Sequence, residues 1–190
     1  MLGMEPNIVL RNLGNVDSPL VLVFADLPHQ AKGLHHLVTG LVPDWHVTTV
    51  NFDLIPSAPY QKAQLDLPRL RLFAEHEISR VVPDQIILVG YGIASQIVLD
   101  LYAGDRIAVE RAALLHPATQ REDLFNLKLV GKKIFVSTGW LDGRSLVSKT
   151  ELLVRQMQHM NARVTKHIHQ GGIEVTHSEA DALQAFLTGK

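Results

Sequence analysis

The sequence contains no cysteine. That excludes disulfides, thiol nucleophiles and thiolate metal centres, and it suits a reducing compartment, so a cytoplasmic location is expected. An excess of charge of either sign is also missing. Eighteen basic residues stand against 19 acidic ones, for a net charge of −1, which gives no electrostatic case for nucleic acid or an anionic membrane surface. Long apolar runs are absent, the longest being strand-sized, so no membrane span is expected. The first 14 residues, MLGMEPNIVLRNLG, lack a basic region followed by a long apolar one and do not read as a signal peptide. Repeats, linkers and low-complexity stretches are absent too. The 190 residues are therefore expected to form one domain, long enough to bury a sizeable core.

What is present is an alternation of strand and helix signals. Residues 7–12 read as an edge strand, and 20–25 (LVLVFA) as a buried strand behind the breaker Ser18-Pro19. Residues 26–29 read as a loop. Residues 30–41 carry apolar side chains at helical spacing (Ala31, Leu34, Leu37, Val38, Leu41). A β-branched strand is predicted over 45–52, a proline-bearing loop over 53–64 and a helix over 65–82. Further strands are predicted at 111–116, 133–138 and 163–169, with a short helix or turn at 120–129 and amphipathic helices over 144–160 and 178–187. Apolar runs without clear alternation imply strands covered on both faces. The expected fold class is α/β, a three-layer domain with a mostly parallel sheet and helices on both faces.

The centre of the chain is residues 85–95, QIILVGYGIAS. An apolar strand ends in Gly90-Tyr91-Gly92 and a helix follows, the local shape of a nucleophile elbow. Two later stretches go with it, STGWLDGRSLVSKTELLVRQM and QGGIEVTHSEADALQAFL. With these three anchors the chain resembles the α/β-hydrolase superfamily, in particular the small carboxylesterase and lysophospholipase-like serine hydrolases. The resemblance implies that Gly92 stands at the nucleophile position, Asp142 at the acid position (Gly139-Trp140-Leu141-Asp142) and Ile173 at the position of the catalytic histidine (Gly171-Gly172-Ile173-Glu174). It also implies that Ala25-Asp26 replaces the His-Gly that follows the first buried strand in such enzymes.

Glycine offers no nucleophile and isoleucine no base, so acyl transfer of the family type should be negligible. A carboxylate at Asp26 would further oppose a developing oxyanion. The expectation is a pseudoenzyme that binds a small-molecule ligand or a protein partner in a remnant pocket near Asp26, Leu27, Tyr91, Gly92, Ile93, His116, Asp142 and Ile173, with His29 also bordering it. Two alternatives stand beside it. One is an active esterase with a relocated set, Ser95, His177 and Asp142; the other is a nucleotide-binding protein using the Gly90-Tyr91-Gly92 turn.

Bland roles compete with each residue. Ser95 can bond a backbone carbonyl, Thr176 or Ser178 can cap the last helix beside His177, and Asp142 can cap a helix or hold a loop. His167-x-His169 places two imidazoles on one strand face, and with His177 or Asp142 they could hold a metal, but the spacing is common. No metal or cofactor is expected. Homo-oligomerisation through an edge strand or the long helix is left open.

Overall fold

The computed structural model describes residues 8–51, 67–104, 106–118 and 124–190. Among the described residues, seven strands form one sheet in the order β1-β3-β2-β4-β5-β6-β7. These are β1 (Ile8–Asn12), β2 (Leu20–Ala25), β3 (His46–Asn51), β4 (Ile86–Tyr91), β5 (Arg111–Leu115), β6 (Lys133–Gly139) and β7 (Arg163–His169). Every neighbouring pair is parallel except β1 with β3, so the edge strand expected at 7–12 runs antiparallel and the rest of the sheet agrees with expectation. The helices are α1 (Pro28–Leu41), α2 (Leu67–Val81), α3 (Ser95–Ala103), α4 (Val147–His159) and α5 (His177–Thr188).

The two faces of β2 show why its sequence does not alternate. Leu20, Leu22 and Phe24 lie in a core with Leu70, Ile97, Leu101 and Met157 from α2, α3 and α4. Val21, Val23 and Ala25 lie in a second core with Ala31, Leu34, Val38 and Leu183 from α1 and α5. Each face of a central strand is covered, so a continuous apolar run is what the pleat requires.

Element ends differ from the sequence expectations for identifiable reasons. Helix α1 starts at Pro28 rather than residue 30, because proline lacks only an N–H that the first turn leaves unbonded anyway. Residues 28–29 are thus helix rather than loop. Strand β5 stops at Leu115, because His116 adopts φ +48° and cannot continue an extended chain. Helix α4 starts at Val147, because Asp142 Oδ1 accepts from the backbone N–H groups of Arg144 (2.8 Å) and Ser145 (3.1 Å) and holds them in a turn. Helix α5 starts at His177 with Thr176 as its N-cap, accepting from Glu179 N. The loop expected over 53–64, and residues 120–123 of the helix or turn expected over 120–129, lie outside the described residues; 124–126 form a single 3-10 turn.

The edge strand is fastened by charge. Glu77, on the apolar stripe of α2, is fully buried and accepts from Arg11 Nη2 (2.7 Å), Arg80 Nη2 (2.8 Å) and Thr48 Oγ1 (3.1 Å). Burial alone would raise its pKa, but the hydrogen bonds and charges of the two arginines outweigh it and bring the pKa to about 2. A carboxylate depressed from 4.5 contributes stability that is complete above 4.5 and is lost as pH falls toward 2. The arginines are partly exposed, so the expected loss is discounted to about 2 kcal/mol. Urea unfolding across that pH window should be flatter by this amount in Glu77→Gln than in the parent.

The strand order reverses direction between β2 and β4: from β2 the chain moves outward to β3, then crosses to β4 on the other side. The crevice beyond the carboxyl ends of these two strands is where open α/β sheets bind ligands. Asp26 follows β2, and Gly92 follows β4.

Candidate functional site

Gly92 forms a tight turn at φ +61°, a conformation that favours glycine. The helix expected directly after it is preceded by a 3-10 turn, Gly92–Ala94, before α3 begins at Ser95. A side chain at residue 92 would find its place taken. A Cβ built there stands 2.6 Å from Asp26 Oδ2. The backbone N–H of Ile93, the residue after the nucleophile position and the donor an oxyanion hole uses, acts on the Asp26 carboxylate to lower its pKa. Oriented to satisfy both neighbours, the Gln30 amide donates to Asp26 Oδ1 and accepts from Arg144 Nη2 at 3.1 Å. Burial pushes the Asp26 pKa up, against the Ile93 N–H and the charge of Arg144.

Tyr91 links the elbow to the two later anchors. Its hydroxyl donates to the carbonyl of Ile173, and its ring stacks on His116 with centroids 5.2 Å apart. Burial pushes its pKa up to about 12. The Ile173 side chain is itself exposed. Asp142 is buried and bonds His116 Nδ1 through Oδ2 at 2.8 Å. Gly92, Asp142 and Ile173 therefore do gather at one end of the sheet, with Tyr91 and His116 between them.

His116 is the unexpected hub. It is 1 % exposed, left-handed in backbone, and bonded at both ring nitrogens, to Asp142 and, at 3.2 Å, to Glu179 Oε2. A buried non-glycine residue at positive φ holds strain that surrounding contacts must maintain. Both partners are carboxylates, so the ring donates twice. Burial disfavours its charge, but Glu179 and Asp142 outweigh burial and raise its pKa, while both carboxyls are held below their ordinary values despite burial. Glu179 also accepts from Ser137 Oγ, and its Oε2 lies 3.1 Å from His169 Nε2.

The loops after β6 and β7 meet backbone to backbone. A Cβ on Gly139 would collide with the carbonyls of Gly171 and Gly172, Trp140 N donates to His169 O (2.9 Å), and Leu141 N donates to Gly171 O (3.0 Å).

The other sequence candidates lie as follows. Ser95 is fully buried and donates to Gly90 O at 3.2 Å. His177 is exposed at the start of α5. Asp142 is engaged by His116 and a turn. Leu27 and His29 are exposed on the β2 side of the crevice. His167 stacks on His169 with centroids 6.2 Å apart, and the residues that gather with His169 are His116 and Glu179 rather than His177 or Asp142.

Glu179, Gln30 and Arg144 were not singled out by sequence. Glu179 lies three residues after Thr176, which reads as a capping pair. The usable signal was its spacing: Glu179, Leu183 and Leu187 fall four apart on the buried stripe of α5.

This architecture, with its elbow after the central strand, is the α/β-hydrolase fold. It is similar to a Bacillus cereus carboxylesterase (TM-score 0.78, 18% identity, covering 95% of this chain and 93% of that one). It is likewise similar to YahD, solved with malic acid (0.77, 15%, 96% and 98%), and to a phospholipase/carboxylesterase from Dyadobacter fermentans (0.72, 14%, 98% and 99%). No protein-family model and no curated protein matches the chain. Among the described residues, no helix is long and apolar enough to cross a membrane.

Proposed function

We propose that this protein is an α/β-hydrolase-fold pseudoenzyme, without serine-hydrolase chemistry, that acts by binding a small ligand or a protein partner. The observation that carries this is Asp26. Its carboxylate stands 2.6 Å from where a Cβ at residue 92 would be, and draws on the Ile93 N–H that an oxyanion would need. A negative charge at that point opposes the charge that develops in acyl transfer. For the same reason it opposes a phosphate at the turn, which weighs against nucleotide binding there. Ser95, buried and bonded to Gly90, is poorly placed to replace the lost nucleophile. The absence of cysteine supports a cytoplasmic site of action. Binding would use the crevice between Asp26 and Ile173, whose rim carries exposed Leu27, Trp140, Leu141 and Ile173.

Incubation of the folded protein with a fluorophosphonate probe is expected to leave every serine unlabelled, and p-nitrophenyl acetate is expected to turn over no faster than with a heat-denatured control. Covalent labelling of Ser95, or esterase activity lost in both Ser95→Ala and His177→Ala, would establish the rearranged enzyme instead.

A further inference from the structure

We propose that His116, His169 and Glu179 form a buried site for one divalent transition-metal ion, with zinc the expected occupant. The inference does not depend on the pseudoenzyme reading. The three residues come from separate places, the residue just after β5, the end of β7 and the first turn of α5, and one ligand atom from each lies within 4.8 Å of the others. Glu179 Oε2 is 3.2 Å from His116 Nε2 and 3.1 Å from His169 Nε2. Donor atoms on a tetrahedral zinc, at about 2.0–2.2 Å from the ion, stand roughly 3.3 Å from one another. The carboxylate oxygen already has that spacing to both rings.

A second observation comes from His169. The residue is 5 % exposed, and its Nε2 makes no hydrogen bond although Glu179 Oε2 is 3.1 Å away. The oxygen therefore lies off the axis of the ring nitrogen. A shared proton needs the acceptor on that axis, whereas a shared ion needs the two donor atoms to converge on a point between them.

The surroundings fit a ligand set. Asp142 bonds His116 Nδ1 from behind, the arrangement that fixes a ligating imidazole with its Nε2 lone pair free, and Ser137 holds the other Glu179 oxygen. Two imidazoles and one carboxylate suit zinc and its neighbours rather than calcium or magnesium. Loading would release to solvent the proton between His116 and Glu179. It would also move the His169 proton from Nε2 to Nδ1, so that Gly171 N, which donates to that Nδ1 at 3.1 Å, must turn away. Because all three ligands are buried, the ion is expected to enter as the chain folds.

The test unfolds the full chain in guanidinium chloride with EDTA, refolds it with or without zinc chloride, desalts it and counts the metal by inductively coupled plasma mass spectrometry. About one zinc per chain is expected to be retained, with a higher melting temperature than the metal-free protein. Glu179→Gln and His169→Gln should lose that zinc, while His167→Ala, which removes the neighbouring imidazole, should keep it. Should a cluster variant fail to fold, nitrogen-labelled histidine NMR of the parent decides: zinc refolding should shift the Nε2 signals of His116 and His169 and convert His169 to its Nδ1–H tautomer. Retention below about 0.1 zinc per chain, zinc lost from His167→Ala but kept by His169→Gln, or unmoved Nε2 signals would each overturn the site.

Discussion

Glu179→Ala is expected to destabilise the metal-free protein by about 3–5 kcal/mol, because it leaves two buried donors, His116 Nε2–H and Ser137 Oγ–H, without an acceptor at about 1–3 kcal/mol each, and a cavity beside them. Here the carboxylate faces the His116 ring, which Asp142 holds from the other side, and it also accepts from Ser137. His116 and Ser137 are both buried, so neither can turn to water. At about 2–4 °C per kcal/mol for a chain of this size, the melting temperature should drop by roughly 6–20 °C. Glu151→Ala is the control. Its carboxylate pairs with Lys166 on the surface, and its loss should leave the melting temperature where it was. A Glu179→Ala protein that melts with the parent would mean that the cluster does not hold β5, β6 and α5 together.

The second large effect concerns the elbow. Gly92→Ser restores the residue type of a serine hydrolase, yet it is expected to stay unlabelled by fluorophosphonate and to destabilise by about 1–3 kcal/mol. The serine would adopt φ near +61° with its Cβ 2.6 Å from Asp26 Oδ2. Adding Asp26→Ala removes the clash but not the backbone strain. The double variant should therefore recover part of the loss, an interaction energy of about 1 kcal/mol in a double-mutant cycle read by urea unfolding. Labelling of the introduced hydroxyl in Gly92→Ser while Asp26 is intact would contradict the assignment of that carboxylate as the group closing the elbow.

The fold was legible because its signals are local and mutually consistent. Leu20–Ala25 and Ile86–Tyr91 are apolar runs of strand length, and the intervening helices carry their stripes at the right spacing. The site was legible only where it leaned on a motif. Gly92, Asp142, Ile173 and Asp26 could be placed by resemblance, and the charge of Asp26 marked it as opposed to an oxyanion. What could not be read was direction. His116 leaves the strand register through a left-handed backbone that no single residue type announces. Glu179 satisfies a helix-capping rule with its backbone while its side chain turns inward to groups 42 and 63 residues away. Such contacts depend on topology, which brings β5, β6 and α5 to one end of the sheet, and topology is not a local property.

The missing Cβ at Gly139 bears on motion at the mouth of the crevice. With the Gly171 and Gly172 carbonyls pressed against it, the turn after β6 and the turn after β7 continue the sheet ladder past its last formal residue. The Leu141 amide should then exchange with deuterium as slowly as amides inside β6, and the two turns should open as one cooperative unit.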